Sequence, residues 1–341
     1  MTHLTMVARR LGFTIFLLLG ISLLTFIISH CVPGDPVATL LGERGTEAQI
    51  ANLRHQLGLD RPLPVQYAHY VWDLLHMDLG QSLRTRRPVL DDLVDYFPAT
   101  VELSTTALFI ALLLGIPLGV AGALGHNRWP DHLTRVGALT GVSTPIFWLG
   151  LLCLRLFYSR WDLLPPGGRI GDYVDPPVRH TGLLLVDALW DHNGPAFLSG
   201  LQHLLLPAAC LSVVALASMA RLVRSQMLEV LSQDYVRTAI AGGLRYRTVI
   251  FRYALKNALL PAITAVGLQY GSLLSGAVLT ETIFSWPGIG KYAVGSMVNL
   301  DFPALMGVTL LIAVTYSLVN LAVDLIYVFV DPRLRSGRDA S

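Results

Sequence analysis

Charge is what this sequence has least of. Only 14% of its 341 residues are Asp, Glu, Lys or Arg, against about 25% in an ordinary soluble domain. With 53% of the chain hydrophobic and a mean hydropathy of +0.55, too few charges remain to cover a water-facing surface. That excludes a disordered chain, a fibrous chain and an ordinary cytosolic enzyme. Cysteine is scarce as well. Cys31, Cys153 and Cys210 are far apart and form no CxxC pair, which excludes a disulfide framework and a thiolate zinc site. Each lies in or beside an apolar run and reads as a packing residue. An excess of one sign of charge is missing too: the net charge is +2, which gives no reason to expect a nucleic-acid partner. There is no 20–50-residue repeat, no HExxH, no GxSxG and no cluster of acids with histidine at ligand spacing. No metal site and no catalytic residue follow from the sequence. Gly288-Ile-Gly-Lys291 is not a phosphate loop, because Ser285 stands where the first glycine is needed and Tyr292 where Ser or Thr is needed.

Long apolar runs are what the sequence does have. A membrane span needs about 20 mostly apolar residues, and six stretches qualify: 11–32, 101–124, 136–157, 204–220, 258–280 and 303–330. Arg9 and Arg10 precede the first stretch, as in a signal peptide, but its apolar run exceeds the roughly 7–15 residues of a signal core. It then enters the turn Pro33-Gly34-Asp35-Pro36. It reads as a retained first helix. Pro117, Pro145 and Pro207 fall inside spans two, three and four, where neighbouring helices are expected to satisfy the freed carbonyls.

Basic residues give the orientation. With the N-terminus inside, segments 1–10, 125–135, 221–257 and 331–341 hold 14 Lys/Arg against 5 Asp/Glu. The longer outside segments 33–100, 158–203 and 281–302 hold 10 Lys/Arg, against 17 acids when Glu102 is counted at the edge. Both termini inside is the better solution. In 33–100 the spacing predicts short helices on the outer face, at 48–57 (Ile50, Leu53, Leu57) and at 65–75 (Val65, Ala68, Val71, Leu75). Segment 158–203 carries Pro165-Pro166-Gly167-Gly168 and Pro176-Pro177 and reads as a structured loop.

Between spans four and five, Ser232 or Asp234 is placed to cap a helix starting near Tyr235. That helix ends at Gly242-Gly243, where a left-handed turn is easily made. A second helix over 246–257 has Val249, Ile250, Tyr253 and Ala254 on one side and Arg245, Arg252 and Lys256 on the other. Two readings stand: a basic amphipathic element resting on anionic headgroups, or a rigid knob docking into an inner partner. Thr238, Ala239, Ala241, Gly242 and Gly243 are small enough for the close backbone approach that docking needs.

The segment Asp234-Tyr-Val-Arg-Thr-Ala-Ile-Ala-Gly-Gly243 resembles the EAA loop of binding-protein-dependent ABC importers, in the peptide/nickel branch. The match covers Asp234, Tyr235, Val236, Arg237, Thr238, Ala239, Ala241, Gly243 and Leu244, while Ile240 and Gly242 depart from a usual basic residue and a usual lysine. Further resemblance runs in register through Arg9-Arg10-Leu11-Gly12, Val32-Pro33-Gly34-Asp35-Pro36, Asp78–Ser82, Pro98–Leu103, Gly115-Ile-Pro-Leu-Gly119, Ser143–Trp148, Asn257-Ala-Leu-Leu-Pro261, Leu279–Gly290, Asn320–Asp324 and Asp331–Arg333. Over about residues 9 to 335 the chain is similar to a B-type permease subunit.

The resemblance implies an all-α membrane protein with the six-helix type I importer fold and cytoplasmic termini. Its parts would be a first helix (1–32), an extracytoplasmic segment (33–100), a permease core (101–335) with the coupling loop at 229–257, and a tail (336–341). It implies half of a pore in the bacterial inner membrane, importing dipeptides or short peptides. Oligopeptides, glutathione, peptide-like antibiotics, nickel and haem are alternatives within the same machinery. The implied partners are a C-type permease, two cytoplasmic ATPases, an extracytoplasmic solute-binding protein and membrane lipid. ATP and Mg would belong to the ATPases, so this chain carries no cofactor and is not an enzyme. Asp234, Tyr235, Arg237, Thr238, Ala239, Ala241 and Gly243 would contact the ATPase.

Other polar residues have two readings each. Gln269, Tyr270, Ser272 and Thr280 give span five a polar trace that suits a pore lining, and Glu281 at its end suits the outer mouth or an ion pair. Asn320 and Asp324, one turn apart, either hold the bundle together or line the path. Trp286 and Gly288 read as an outer-face contact or as an interfacial tryptophan in a tight turn. A stand-alone secondary transporter would show inverted repeats and a midplane ion site, and neither is visible. A membrane receptor would leave 234–243 without a purpose.

Overall fold

The computed structural model describes residues 3–31, 48, 52, 55 and 60–330. The helix expected over 48–57 lies largely outside the described residues. The described residues are mainly helical: α1 (His3–Cys31), α2 (Leu63–Leu75), α3 (Val89–Leu124), α4 (Trp129–Ser143), α5 (Ile146–Arg160, π-helical from Leu154), α6 (Leu184–Trp190), α7 (Gly194–Leu231), α8 (Asp234–Ala241), α9 (Tyr246–Ala258), α10 (Leu260–Gly276), α11 (Val278–Ile283), α12 (Ile289–Val298) and α13 (Phe302–Val330). Among the described residues four helices are long and apolar enough to cross a membrane, or up to six if the bent pairs α4–α5 and α9–α10 each count as one span.

The proline positions explain the bends. Pro207 lies inside α7 without ending it, and Pro117 lies within α3. Pro145 behaves differently. The pair α4–α5 is bent by 100° there, so the expected continuous span over 136–157 is corrected to two helices. Proline pushes the residue before it out of the helical region, and Thr144 is extended at φ −81°, ψ 122°. Its backbone N–H and its hydroxyl both bond the Thr140 carbonyl, at 3.0 and 2.7 Å, so the end of α4 is closed locally. Pro261 follows a second bend of 51° between α9 and α10, at the start of the stretch expected over 258–280, which itself divides between Gly276 and Val278.

Two compact units divide the chain. One holds Met1–Pro98 with Pro287–Ser317. Its core joins Val89 and Leu93 to Ile289, Tyr292, Ala304 and Val308. Polar groups are closed off inside it: Tyr292 donates to Asp92 at 3.0 Å and Ser82 donates to Asp301 at 2.5 Å. Phe26 of α1 meets Tyr67 of α2 edge-on, with ring centroids 5.4 Å apart.

The other unit holds Ala99–Trp286 with Leu318–Ser341. Here α3 and α7 pack closely through Gly115 and Gly119. A Cβ on Gly119 would stand 2.7 Å from the Ala220 carbonyl, so only glycine allows this approach. At 38 residues, α7 is about 57 Å long at 1.5 Å per residue, far more than the 17 residues expected in span four. It runs from the loop before Gly194 to Leu231, where α8 begins three residues later.

Candidate functional site

The end of α7 carries an apolar floor. Met219, Val223, Met227 and Val230 recur at helical spacing and are buried with Val120 and Ala123 of α3. Val249, Ile250 and Ala254 of α9 join the same cluster, as does Val236 of α8. Burial of such side chains contributes about 1.5–3 kcal/mol each, so the element is held on its floor by its underside alone.

The upper face of α8 is open. Asp234, Tyr235, Arg237, Thr238, Ile240, Ala241, Gly242 and Gly243 are exposed and Ala239 is half-buried. The helix begins after Gln233, whose side chain makes no capping bond. Ser232 instead donates to the Glu229 carbonyl at the end of α7, and Asp234 lies inside the first turn. The expected cap is therefore corrected. The other end closes as the glycines predicted. The Leu244 N–H bonds the Ala239 carbonyl at 3.3 Å and the Gly243 N–H bonds the Ile240 carbonyl at 3.0 Å, the paired pattern of a Schellman turn. Gly243 sits at φ +81° with open space where a Cβ would stand.

One side chain joins the two helices of the element. Asn257 donates to the Tyr235 hydroxyl at 2.9 Å and to the Tyr253 carbonyl at 3.0 Å. The sequence reading placed Asn257 only within a family match. Its signal was an amide at the end of the expected 246–257 helix, just after Lys256 and before Ala-Leu-Leu-Pro261. Arg237 stands 3.8 Å from Asp234, both exposed; such a pair contributes little stability. The result is a rigid projection with a free backbone edge, small side chains and basic flanks. It can dock, but it holds no group placed for bond chemistry. Among the described residues no three His, Cys, Asp or Glu gather to hold a metal ion.

The other sequence candidates are dispersed. Gln269 and Tyr270 are half-buried on α10 and Ser272 is exposed there. Tyr270 and Thr105 share a hydrogen bond of 3.0 Å. Asn320 is half-buried on α13, and the Asp324 side chain lies outside the described residues. Thr280 and Glu281 differ from the expectation: both are buried on α11, and Glu281 accepts from the Thr100 hydroxyl at 2.6 Å. They are enclosed by the chain's own packing. Trp286 is corrected too. It is fully buried and donates Nε1–H to the Ala99 carbonyl at 2.8 Å, so its indole is not an outer-face contact. Gly288 is buried as the residue before α12.

Sequence reasoning missed two buried ion pairs that fix the second unit. Arg169 grips Glu102 through Nε and Nη2, at 3.0 and 2.6 Å, while the other Glu102 oxygen accepts the Leu185 N–H at 2.8 Å. Asp131 at the start of α4 takes Nε and Nη2 of Arg224 on α7, at 2.5 and 3.0 Å. The partners are 67 and 93 residues apart in the chain, beyond any local pattern.

Residues 115–336 match the family described as binding-protein-dependent transport system inner membrane component, and residues 3–104 match that family's N-terminal region. The chain is 52% identical over 337 residues to a protein named probable D,D-dipeptide transport system permease protein DdpB, from Escherichia coli K12, covering 99% of each chain. It is 46% identical to the dipeptide transport system permease protein DppB of the same organism, covering 97% of this chain and 99% of the relative. To the glutathione transport system permease protein GsiC of Salmonella typhimurium LT2 it is 36% identical, covering 97% and 99%.

Proposed function

We propose, from the premise that this chain belongs to the family of binding-protein-dependent transport system inner membrane components, that it is the B-type half of a pore importing dipeptides. The names of the relatives support that substrate class: two are named for dipeptides, one of these for D,D-dipeptides, and a more distant one for glutathione. In this reading each bent helix pair crosses the membrane once, giving six spans with both termini cytoplasmic and segment 33–100 outside. The 101–335 part is the permease core and 336–341 a tail. A C-type permease completes the pore, two ATPases carrying ATP and Mg drive it, and an extracytoplasmic binding protein delivers the peptide.

One observation carries the mechanism. The underside of α8 is sealed to the ends of α3 and α7, while its upper face is open. A push on that face is passed on through packed side chains, because Val236 is buried in one cluster with Met227 and Val230 of α7. It moves α7. ATP closure in the partner would press Asp234, Tyr235, Arg237, Thr238, Ala239, Ala241 and Gly243, and the floor would pass the displacement into the spans. Gln269, Tyr270, Ser272 and Asn320, none of them wholly buried in the chain, are the candidates for the solute path.

The test is Gly243→Val in the complete transporter. A Cβ there meets no atom within 4 Å, and the left-handed backbone costs a non-glycine residue about 1–2 kcal/mol. Assembly should persist while ATP-driven uptake of labelled dipeptide falls. Undiminished uptake would sink the docking role. Competition between L,L- and D,D-dipeptides then sorts the substrate.

A further inference from the structure

The floor beneath α8 explains how α7 moves, but α4 and α5 have no part in that floor. We propose that the Asp131–Arg224 pair is the positioning link that makes α4 follow α7 when the coupling element is displaced. The inference rests on the coupling role proposed above and adds the route beyond it.

Arg224 is adjacent to Val223 and three residues before Met227, both of which lie in the cluster that seats Val236. It therefore reads the position of the very turn of α7 on which α8 rests. Its guanidinium holds both oxygens of Asp131, a carboxylate with no exposed surface. Bidentate pairs of this kind fix orientation as well as distance. The same carboxylate accepts the Asn127 N–H at 2.9 Å, so the turn between α3 and α4 is tied to it. One turn further along α4, Thr134 donates to the Leu118 carbonyl of α3 at 3.2 Å. Arg135 and His126 stand 3.5 Å from Asp131, but both are half exposed and replaceable by water. The polar link to α7 is Arg224, beside the close packing of Gly141 on Val213 and Ala217 of α7.

Drawing this pair apart is unfavourable, since separation leaves the fully buried Asp131 carboxylate without its bidentate partner. The first turn of α4 must then travel with α7. The 100° bend after Ser143 converts that travel into a changed direction for α5. A packing contact alone would permit slip; a forked charge pair does not.

The test uses the reconstituted complex with all its partner subunits. In the first arm the pair is left intact and spin labels are placed at the exposed positions 233 and 136, through Gln233→Cys and Val136→Cys with Cys31→Ser. Their separation should stay constant between nucleotide-free and ATP-analogue states. A nucleotide-dependent change in that separation overturns the proposal. A label at 233 that also never moves against the ATPase overturns the coupling reading itself, and this inference with it. In the second arm, Asp131→Asn with Arg224→Gln removes both charges and strands neither. ATP hydrolysis should persist while uptake per ATP falls about tenfold, in the range of typical coupling energies. Asp131→Glu should recover part of the loss. An assembled double variant with unchanged uptake per ATP refutes the link, whatever the single variants do.

Discussion

Two regions of the second unit carry equally recognisable sequence signals and use them in opposite ways. In the α8–α9 element most of the matched residues face out, with Val236 the one that is buried. In the α11–Trp286 turn Thr280, Glu281, Phe284 and Trp286 are buried, while Leu279, Thr282 and Ser285 between them are exposed. Both are short helices next to glycine or proline. The difference is whether the surrounding helices leave the polar and aromatic groups a partner inside. Trp286 has the Ala99 carbonyl and Glu281 has Thr100. Arg237 and Thr238 have only their own helix. A side chain satisfied within the chain, as Trp286 and Glu281 are, serves the fold, and one left with only its own exposed helix is available to something outside it.

Breaking the buried motif should give the largest effect. Trp286→Ala removes a fully enclosed ring and its hydrogen bond, and such truncations cost about 3–5 kcal/mol. Folded protein recovered from the membrane should fall sharply, and the remainder should melt lower in detergent. A melting temperature like the parent's would mean that the ring is dispensable. The floor under α8 should come next. Val236→Asp places an unpaired charge among Met227, Val249 and Ile250, a burial that is very unfavourable without a partner. Expected are a detached α8, seen as protease cleavage between 232 and 245, and loss of uptake in a chain that still inserts. Protection equal to the parent's would show that α8 does not depend on its floor.

The open face should show the reverse pattern. Thr238→Glu lies at an exposed position, where substitutions usually shift stability by no more than about 0.5 kcal/mol. Its melting temperature should match the parent's while ATP-driven uptake drops, because a new negative charge sits where a partner must close. If stability fell and uptake per folded molecule did not, the assignment of exposed and buried motifs would be reversed.

The helical membrane class could be read from the sequence because composition and apolar run length report directly on the solvent that the chain must face. The Gly242-Gly243 stop was legible for the same local reason: its conformational requirement is written in two adjacent residues. The bend at Pro145 was not, since Pro117, Pro145 and Pro207 look alike in sequence. Only Pro145 follows a threonine that closes the preceding turn on Thr140. The burial of Glu281 and Trp286 was also hidden, because their partners Thr100 and Ala99 lie more than 180 residues away. The candidate docking face was readable from its motif. Its floor, drawn from four helices, was not.

The loop before α6 offers the finest version of the comparison, a buried carboxylate with only local partners. Burial alone would raise the Asp187 pKa, but the Thr181 hydroxyl at 2.7 Å and the Thr181 and Gly182 N–H groups at 2.8 and 2.9 Å outweigh it. The result is a carboxyl below the ordinary aspartate value of 3.8. A depressed folded-state pKa means that the unfolded loop binds the proton more readily. The contribution is therefore complete above 3.8 and is lost as pH falls through the lower folded value. Hydrogen exchange of residues 181–187, corrected for intrinsic rates, should show protection held down to about 3.8 and falling below it. Asp187→Asn should remove that acid step while leaving the α8 face and its uptake untouched. An acid step that survives the substitution would assign it to another carboxylate, and would leave Asp187 as a packing residue whose hydrogen bonds are indifferent to its charge.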